Sequence, residues 1–556
     1  MDFRQIIADA LKKELGKDIV LEVPPDAAMG DFAYPCFELS KEMKKSPMQI
    51  AQELSKKLPS IVGVSEVKAI GPYVNFFVDK QSLMKDTLLK VFDEKEKYGG
   101  SSIGKGKTIV IDYSSPNIAK PFGIAHIRST VIGNSLYKIY GKLGYKVVRV
   151  NHLGDWGTQF GKLIVAYKNW GEGEKLASHG IGHLVDLYIK FGEEAKLNPV
   201  MEDEARSWFK RLEDGDKEAL KLWELFREMS LQEFDKYYKR LHVEFDSYSG
   251  EAFYNDKVEG TIKHISSKTE TKLDDGALIV DLKQYNMPPV LLRKSNETST
   301  YHARDLAAIF YRLKEYKPEK ILYVVDARQQ LHFQQLFKVM ELSGEDKRKL
   351  EHLQFGLMTY EGSAMSTRAG NFVLLEEVLD KAIELALSTI DKKNPALKNK
   401  HTVAEQVGIG AIIFGDLVND RARDVDFTWD KALDFEGETG PYLQYTHARM
   451  CSLLRKSEKK ISSKIDFSML NNEKELIKAL HNFNEAIMQA HTNNKPHVIA
   501  RYLLDVAQLF NSYYQNNPIL KEEEKIKSAR LLVVDCVRQV LKNGLELLGL
   551  EAPEEM

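Results

Sequence analysis

Cysteine is nearly absent: the 556 residues hold three, Cys36, Cys451 and Cys536. They lie far apart with no Cys-x-x-Cys spacing, which argues against a disulfide framework or a Cys-rich zinc site and favours a reducing compartment. An excess of one charge is missing too, with 79 Lys and Arg against 81 Asp and Glu. Any nucleic-acid contact must therefore come from a local cluster of cations, because phosphate neutralisation does not need net charge. No apolar run approaches the roughly 20 residues that span a bilayer. The N-terminal stretch MDFRQIIADALKKELGKDIV is amphipathic but carries Asp2, Asp9, Glu14 and Asp18, which argues against a transit peptide, and it lacks the apolar centre of a signal peptide. The expectation is a soluble, cytoplasmic chain without membrane contact. Internal repeats and low-complexity tracts are absent as well.

What is present divides into segments. The length suits three or four domains, and 43% hydrophobic residues can fill their cores. Residues 1–85 read as a small α+β accessory unit containing the strand-like YVNFFVD. A Gly/Ser-rich boundary, YGGSSIGKGK, leads into an α/β core over 86–355. Within it the strand–helix alternation breaks at about 169–280, where charged helical segments suggest a helical insertion. Residues 356–430 form a connecting region, and 431–556 are almost entirely helical in pattern, as in a bundle.

The core's first unit is specific. KTIVIDY reads as a buried strand and YKVVRV as a second. Between them SSPNIAKPFGIAHIRST makes a turn and opens a helix with apolar Ile127, Val131, Ile139 and Leu143 at helical spacing. A helix N-terminus at the end of a parallel strand suits phosphate or another anion. By itself this leaves open that His126 and Arg128 only cap the helix. GIGH, Gly180–His183, has similar letters but no strand before it, and is read as a loop before a helix.

These landmarks resemble the arginyl-tRNA synthetase family within the class I aminoacyl-tRNA synthetases. The family's first signature, His-Ile-Gly-His, falls on Gly123, Ile124, Ala125 and His126, flanked by SSPNIAKP and RST. Its second, Lys-Met-Ser-Lys-Ser in most classes, falls on AMSTR, Ala364–Arg368. HLGDWGTQFG, STYHARDLA, YVVDARQQLHFQ, QFGLM, GETGPYLQYTHAR and the tail LGLEAPEEM follow in the family's order over essentially the whole chain. The resemblance implies a Rossmann-type α/β catalytic core with a helical insertion, an N-terminal α+β accessory tRNA-binding domain and a C-terminal all-α anticodon-binding domain. It implies ATP-dependent, magnesium-assisted ligation of L-arginine to its tRNA through an arginyl-adenylate, in a monomer.

Site residues carry over position by position. His126, with the backbone N–H groups of the helix start, would meet charge spreading over the ATP phosphates, and Ser366 and Arg368 would lie on the loop that closes on the triphosphate. Gly123 and Ala364 depart from the pattern, and Thr367 stands where most classes have the second loop lysine. Lys120 is the implied substitute cation; a compact point charge serves phosphate without fork geometry. The arginine pocket falls on Asn117, Tyr301, Asp305 and Gln329, with Asp112 where some members have Glu. Tyr301 and Asp305 are four apart on one helix face. ATP contacts fall on Gly123, His126, Gly154, Asp155, His332, Phe355, Gly356 and Met358.

In the C-terminal segment Tyr442, Tyr445, Phe510, Tyr513 and Tyr514 stand among Arg449, Arg501, Asn511 and Asn516. Rings to stack on, amides and cations suit unstacked single-stranded bases, although about half of these five rings are expected in the core. Two other readings are weaker: a tRNA-binding paralogue that has lost catalysis, suggested by Gly123 and Ala364 but opposed by Lys120, His126, Asp305 and Arg368, and a different class I nucleotidylyl transferase, which leaves the helical C-terminus and the N-terminal unit unexplained.

Overall fold

A computed structural model describes residues 3–295, 298–364, 373–429 and 433–556. It divides into two compact units, of which the first comprises residues 1–98, 450–484 and 505–543. Strands β1 (Phe32–Pro35), β2 (Val64–Ile70) and β3 (Tyr73–Val78) form an antiparallel sheet in the order β1-β3-β2. Its inner face carries Val74, Phe76 and Tyr34 against Ile7 and Leu11 of the helix Phe3–Leu15 and Ile50 and Leu54 of the helix Pro47–Lys57. Ser46 opens that second helix with a reciprocal Ser–Gln49 cap, satisfying donors that a helix start leaves bare. The remainder of the unit is helical, and includes the helix Lys80–Glu94.

The second unit comprises residues 99–449, 485–504 and 544–556. Strands β4 (Thr108–Asp112) and β5 (Lys146–Val150) pair in parallel and flank the helix Ala125–Lys142, as their β-branched runs and the intervening helical spacing predict. The antiparallel meander β6 (Lys272–Asp274), β7 (Ala277–Val280) and β8 (Val290–Arg293) packs over the helix Tyr301–Tyr316. Strands β9 (Lys320–Tyr323) and β10 (Leu350–His352) complete a four-stranded parallel sheet, β10-β9-β4-β5. A second small sheet joins β11 (Met358–Tyr360), β12 (Ser363–Ala364) and β13 (Val425–Phe427). The parallel ends of β4, β5 and β9 put the turn Ser114–Gly123 and the loops after Val150 and Tyr323 at one edge, where open α/β sheets bind ligands.

The insertion differs from its helical reading at one end. Helices run from Gly173 to Arg240, but 272–280 forms the β6–β7 pair, whose first strand is fully exposed and so carries no alternating apolar signal. GIGH is not the loop before a helix that its sequence suggests: Ile181–His183 already form the first turn of a helix, and Gly180 is the one-residue joint after the helix Gly173–His179. Gly180 takes a left-handed φ of 54° at the start of the helix Ile181–Leu197, and buried His183 accepts the Glu172 backbone N–H.

Candidate active site

The turn after β4 is held in an unfavourable backbone shape by many partners. Ser114, Ser115 and Ala119 adopt φ of 70°, 49° and 57°, a region that costs non-glycine residues energy unless the surroundings impose it. Ser129 and Thr130, two helix residues of the RST stretch, supply part of the imposition: Ser129 Oγ accepts the Ser114 N–H at 2.9 Å, and Thr130 Oγ1 lies 2.9 Å from Ser114 Oγ. The insertion helix Lys217–Arg240 supplies the rest. Tyr238 reaches Ser114 Oγ at 2.8 Å, Ser230 Oγ accepts the Ala119 N–H at 3.0 Å, and Phe122 packs among Phe234, Tyr237 and Tyr238. The segment read as carried on the core therefore shapes its turn.

His126 sits one residue into the helix that follows. Its Nδ1 accepts the Gly123 backbone N–H at 3.0 Å, which places the ring proton on Nε2. The ring packs against Phe122 with centroids 5.0 Å apart, and burial, reinforced by the nearby Lys120 charge, lowers the His126 pKa to about 4. At neutral pH the signature histidine is thus an uncharged N–H donor. The Ile124 N–H donates to Val373 O, and the Leu375 N–H to Phe122 O, so the chain that follows the second signature is anchored on the first. Ser366, Thr367 and Arg368 themselves lie outside the described residues.

Arg128 does more than cap. Wholly buried, it places Nε 2.6 Å from Asp416 and donates to the carbonyls of Gly356, Leu357 and Arg423 at 2.6–3.2 Å. It clamps the segment expected to face adenine. Gly356 is required there, because a Cβ would meet Arg423 O at 2.5 Å, and Leu357 donates its N–H to Asp424. Phe355 and Met358 are both buried, 8% exposed, so a contact from either with a nucleotide is restricted to the edge or the backbone.

A cavity of about 490 Å³ gathers all five residues assigned to arginine, Asp112, Asn117, Tyr301, Asp305 and Gln329, together with Gly154 and His332. At its floor Asp305 meets two imidazoles, His332 Nε2 at 2.7 Å from one carboxylate oxygen and His152 Nε2 at 3.5 Å from the other. Burial alone would raise the Asp305 pKa, but the hydrogen bonds and charges of His152 and His332 outweigh it and hold the carboxyl well below the usual range. The site keeps an anion at every physiological pH. Gly154 has no room for a side chain, since a Cβ would run into Asn117 Oδ1.

Two assigned residues are differently employed. Both Asp112 oxygens have partners, Arg312 Nη1 at 2.7 Å and Ser115 Oγ at 2.9 Å, and the Arg312–Asp112 pair is buried. Asp112 therefore neutralises a protein guanidinium instead of standing ready for one from solution. Asp155 points away from the cavity: its carboxylate accepts the Ala252 N–H at 2.9 Å and faces Arg227 at 3.2 Å, tying the insertion helix to the 249–253 segment. It was expected beside adenosine; its single step past Gly154 turns the side chain to the other side.

Three further cavity residues escaped the sequence reading. Arg312 belongs to the set Asp305, Ala308, Ile309, Arg312, one helical face that lines the cavity. The same spacing was legible, but reads as an ordinary buried face. His152 stands in HLGDWGTQFG without a signal of its own. Glu251 stands outside every motif, and only folding carries it into the cavity that Asp305 lines. Burial, with the Asp305 charge adding to it and Arg304 opposing, raises the Glu251 pKa to about 7. Arg304 Nε is 3.4 Å from its carboxylate.

Comparison with known proteins decides the family. Residues 87–429 match the model of the class I tRNA synthetase (R) catalytic domain, 443–556 the DALR anticodon binding domain and 1–78 the arginyl tRNA synthetase N-terminal domain. The chain is 50% identical over full length to the arginine–tRNA ligase of Clostridioides difficile and 48% to that of Alkaliphilus metalliredigens. The chain belongs to the arginyl-tRNA synthetases. The Thermus thermophilus arginyl-tRNA synthetase superposes with a TM-score of 0.84 at 27% identity, covering 100% of this chain and 99% of that one. As in the family, the activity is ATP-dependent ligation of arginine to tRNA, and full-length relatives bearing the ligase name leave the paralogue without catalysis unsupported.

Arginyl-tRNA synthetases must also hold tRNA, and the aromatic residues proposed for this divide. Phe510 and Tyr513 are buried, at 0% and 7% exposure, and this corrects their assignment to a tRNA surface. Tyr513 donates to Glu473 at 2.9 Å, and Glu473 also faces Arg530, so the phenol is part of a buried charge network. Tyr514 is half-buried and stacks on Phe510 at 6.0 Å. Tyr442, Tyr445 and Arg449 share a half-buried face of the helix Gly440–Lys456, with the Arg449 guanidinium 4.8 Å from the Tyr445 ring centre. The opposite face holds the tail: Gln444 donates to Glu551 O and His447 bonds Pro553 O. Tyr513→Phe is expected to cost about 1.5 kcal/mol of stability, one hydrogen bond to a buried charge, and to leave the KM for tRNA unchanged. A lower thermal midpoint with normal tRNA kinetics is the result that checks it; weakened tRNA binding at full stability would return Tyr513 to the tRNA surface.

Proposed function

We propose that the cavity above Asp305 is the arginine subsite and that the turn Asn117–His126 is where the ATP phosphates react. The observation that carries this is an always-ionised, half-buried carboxylate beside Tyr301 in a cavity whose mouth carries exposed Asn117 and Gln329. A guanidinium brings five N–H donors in a planar fork, and a carboxylate accepts two of them side by side. Glu251 adds a second acceptor nearby, and Asn117 and Gln329 suit the polar α-amino and α-carboxylate end.

With arginine so held, its carboxylate oxygen attacks the ATP α-phosphorus, forming the arginyl-adenylate as the bond to pyrophosphate breaks. A ribose hydroxyl of tRNA then attacks the carbonyl and AMP leaves. His126 Nε2–H, the positive end of the helix Ala125–Lys142, Lys120 and Arg368 supply the positive potential for charge spreading over phosphate oxygens. Adenine is assigned to the backbone edge at Phe355, Gly356 and Met358, and Gly123 gives the phosphates close approach to the turn. Among the described residues no three His, Cys, Asp or Glu side chains converge as a metal site. Magnesium is therefore assigned to the ATP phosphates as part of that substrate, and no step is routed through it.

Residues 1–85 are proposed as an accessory tRNA-binding domain, 86–355 and 356–430 as the catalytic region, and 431–556 as the anticodon-binding domain, with Tyr442, Tyr445, Arg449 and Tyr514 as its candidate tRNA contacts. The working form is proposed as a cytoplasmic monomer. Three buried free cysteines suit a reducing compartment, and among the described residues no helix is long and apolar enough to cross a membrane. The test is charging of intact tRNA against tRNA with an altered anticodon, by wild type and by Tyr445→Ala. Loss of roughly 1–3 kcal/mol of discrimination in the variant is the expected result for one lost base stack. Equal charging of both tRNAs by wild type would remove anticodon readout from residues 431–556.

A further inference from the structure

The geometry points to His332 and His152 as positioning residues that present the Asp305 carboxylate to the arginine guanidinium. The inference rests on the arginine subsite proposed above. It moves His332 from the ATP, where the sequence placed it, to the amino acid.

An ionised carboxylate has about four acceptor positions, two on each oxygen. His332, on the helix Gln330–Leu342, occupies one position on Oδ2 at 2.7 Å; His152, on the loop after β5, faces Oδ1 at 3.5 Å. One position per oxygen is thereby left, the pair that a guanidinium fork needs. The two imidazoles come from separate elements and so restrict rotation of the carboxylate plane, which a single partner would not. Both are themselves fixed. His332 packs against Tyr301, His302 and Phe333 at centroid distances of 4.8–5.6 Å. The His152 ring lies 5.7 Å from that of Tyr254, and its Nδ1 is 3.2 Å from Ser249 O and 3.3 Å from Arg312 Nη2.

The proton inventory supports the same roles. Neither His332 Nδ1 nor His152 Nε2, both buried, has a hydrogen-bond partner among the described residues, other than the longer approach of His152 Nε2 to Asp305. His152 Nδ1 faces both an acceptor, Ser249 O, and a donor, Arg312 Nη2, whereas its Nε2 faces Asp305. The charged groups around this pair are Asp305, Glu251, Asp112, Arg312 and Arg304, so Asp305 is the acceptor that both imidazoles face.

Steady-state charging kinetics of the full chain test this with His332→Leu, His332→Gln and Asp305→Asn. Glutamine carries an amide N–H near the place of imidazole Nε2, whereas leucine keeps the bulk and loses the donor. His332→Leu is expected to raise the KM for arginine by roughly tenfold or more, the equilibrium value of one charge-assisted hydrogen bond, with kcat and the KM for ATP within about twofold of wild type. His332→Gln is expected to recover most of that loss. An equal rise in both KM values, or no rise for arginine, would overturn the proposal; so would a Gln variant as impaired as the Leu variant. Asp305→Asn separates the two levels of the reading. A large arginine defect there with none in His332→Leu rejects the positioning pair alone, whereas no arginine defect in Asp305→Asn rejects the subsite itself.

Discussion

Asp305→Asn is expected to raise the KM for arginine by about 30- to 1,000-fold, roughly 2–4 kcal/mol, while the KM for ATP stays near wild type. The size follows from what surrounds the carboxylate. Asparagine keeps the shape but exchanges one acceptor oxygen for an NH2 donor. Whichever way the amide turns, that NH2 faces an imidazole, His332 on one side or His152 on the other. The guanidinium then meets one acceptor instead of two, in a cavity where an unpaired donor is costly. Buried polar groups left without partners are also how such a site rejects lysine, whose single ammonium cannot fill a planar pair of acceptors. Initial-rate kinetics with each substrate varied in turn is the measurement. Parallel losses for arginine and ATP, together with a lowered thermal midpoint, would make Asp305 a structural helix residue.

Lys120→Ala is expected to lower kcat by about 100-fold or more and to change arginine affinity little, the loss of one preorganised electrostatic group acting on a phosphoryl transition state. Lys120 follows directly on the left-handed Ala119, whose N–H is held by Ser230, and precedes the Pro121–Phe122 pair whose ring is seated in the insertion helix. Its backbone is therefore placed before substrate arrives. Its charge is already felt at His126, where it helps keep the imidazole neutral. With Gly123 and Ala364 in the positions where related signatures place a histidine and a lysine, this cation is expected to carry a larger share of the work. Single-turnover formation of arginyl-tRNA at saturating arginine and ATP measures the effect. An undiminished rate would transfer the role to Arg368 or to the ATP-bound metal.

Much of the catalytic unit was legible in the chain because its signals are local. β4, the turn, the helix Ala125–Lys142 and β5 follow one another within 43 residues, from Thr108 to Val150, and each announces itself by the period of its apolar residues. The Tyr301–Asp305 pair is likewise four residues of one helix, so its shared face follows from helical geometry alone. The family landmarks add order to these pieces, and the order survives folding.

What the chain alone left undecided depends on which distant segments meet. Arg128 reads as a cap until Asp416 and the Gly356 carbonyl close around it from far along the sequence. Asp112 reads as a ligand for substrate until Arg312 takes it, and Asp155 as a nucleotide contact until Arg227 and Ala252 do. The aromatic residues of the C-terminal helices show the same limit: Tyr513 and Tyr514 are neighbours with the same ring, yet one is buried on Glu473 and the other half-exposed. Local periodicity reports that a face is apolar. Whether that face meets core, cavity or solvent is set by long-range packing, whose free energy resides in contacts that no short stretch contains.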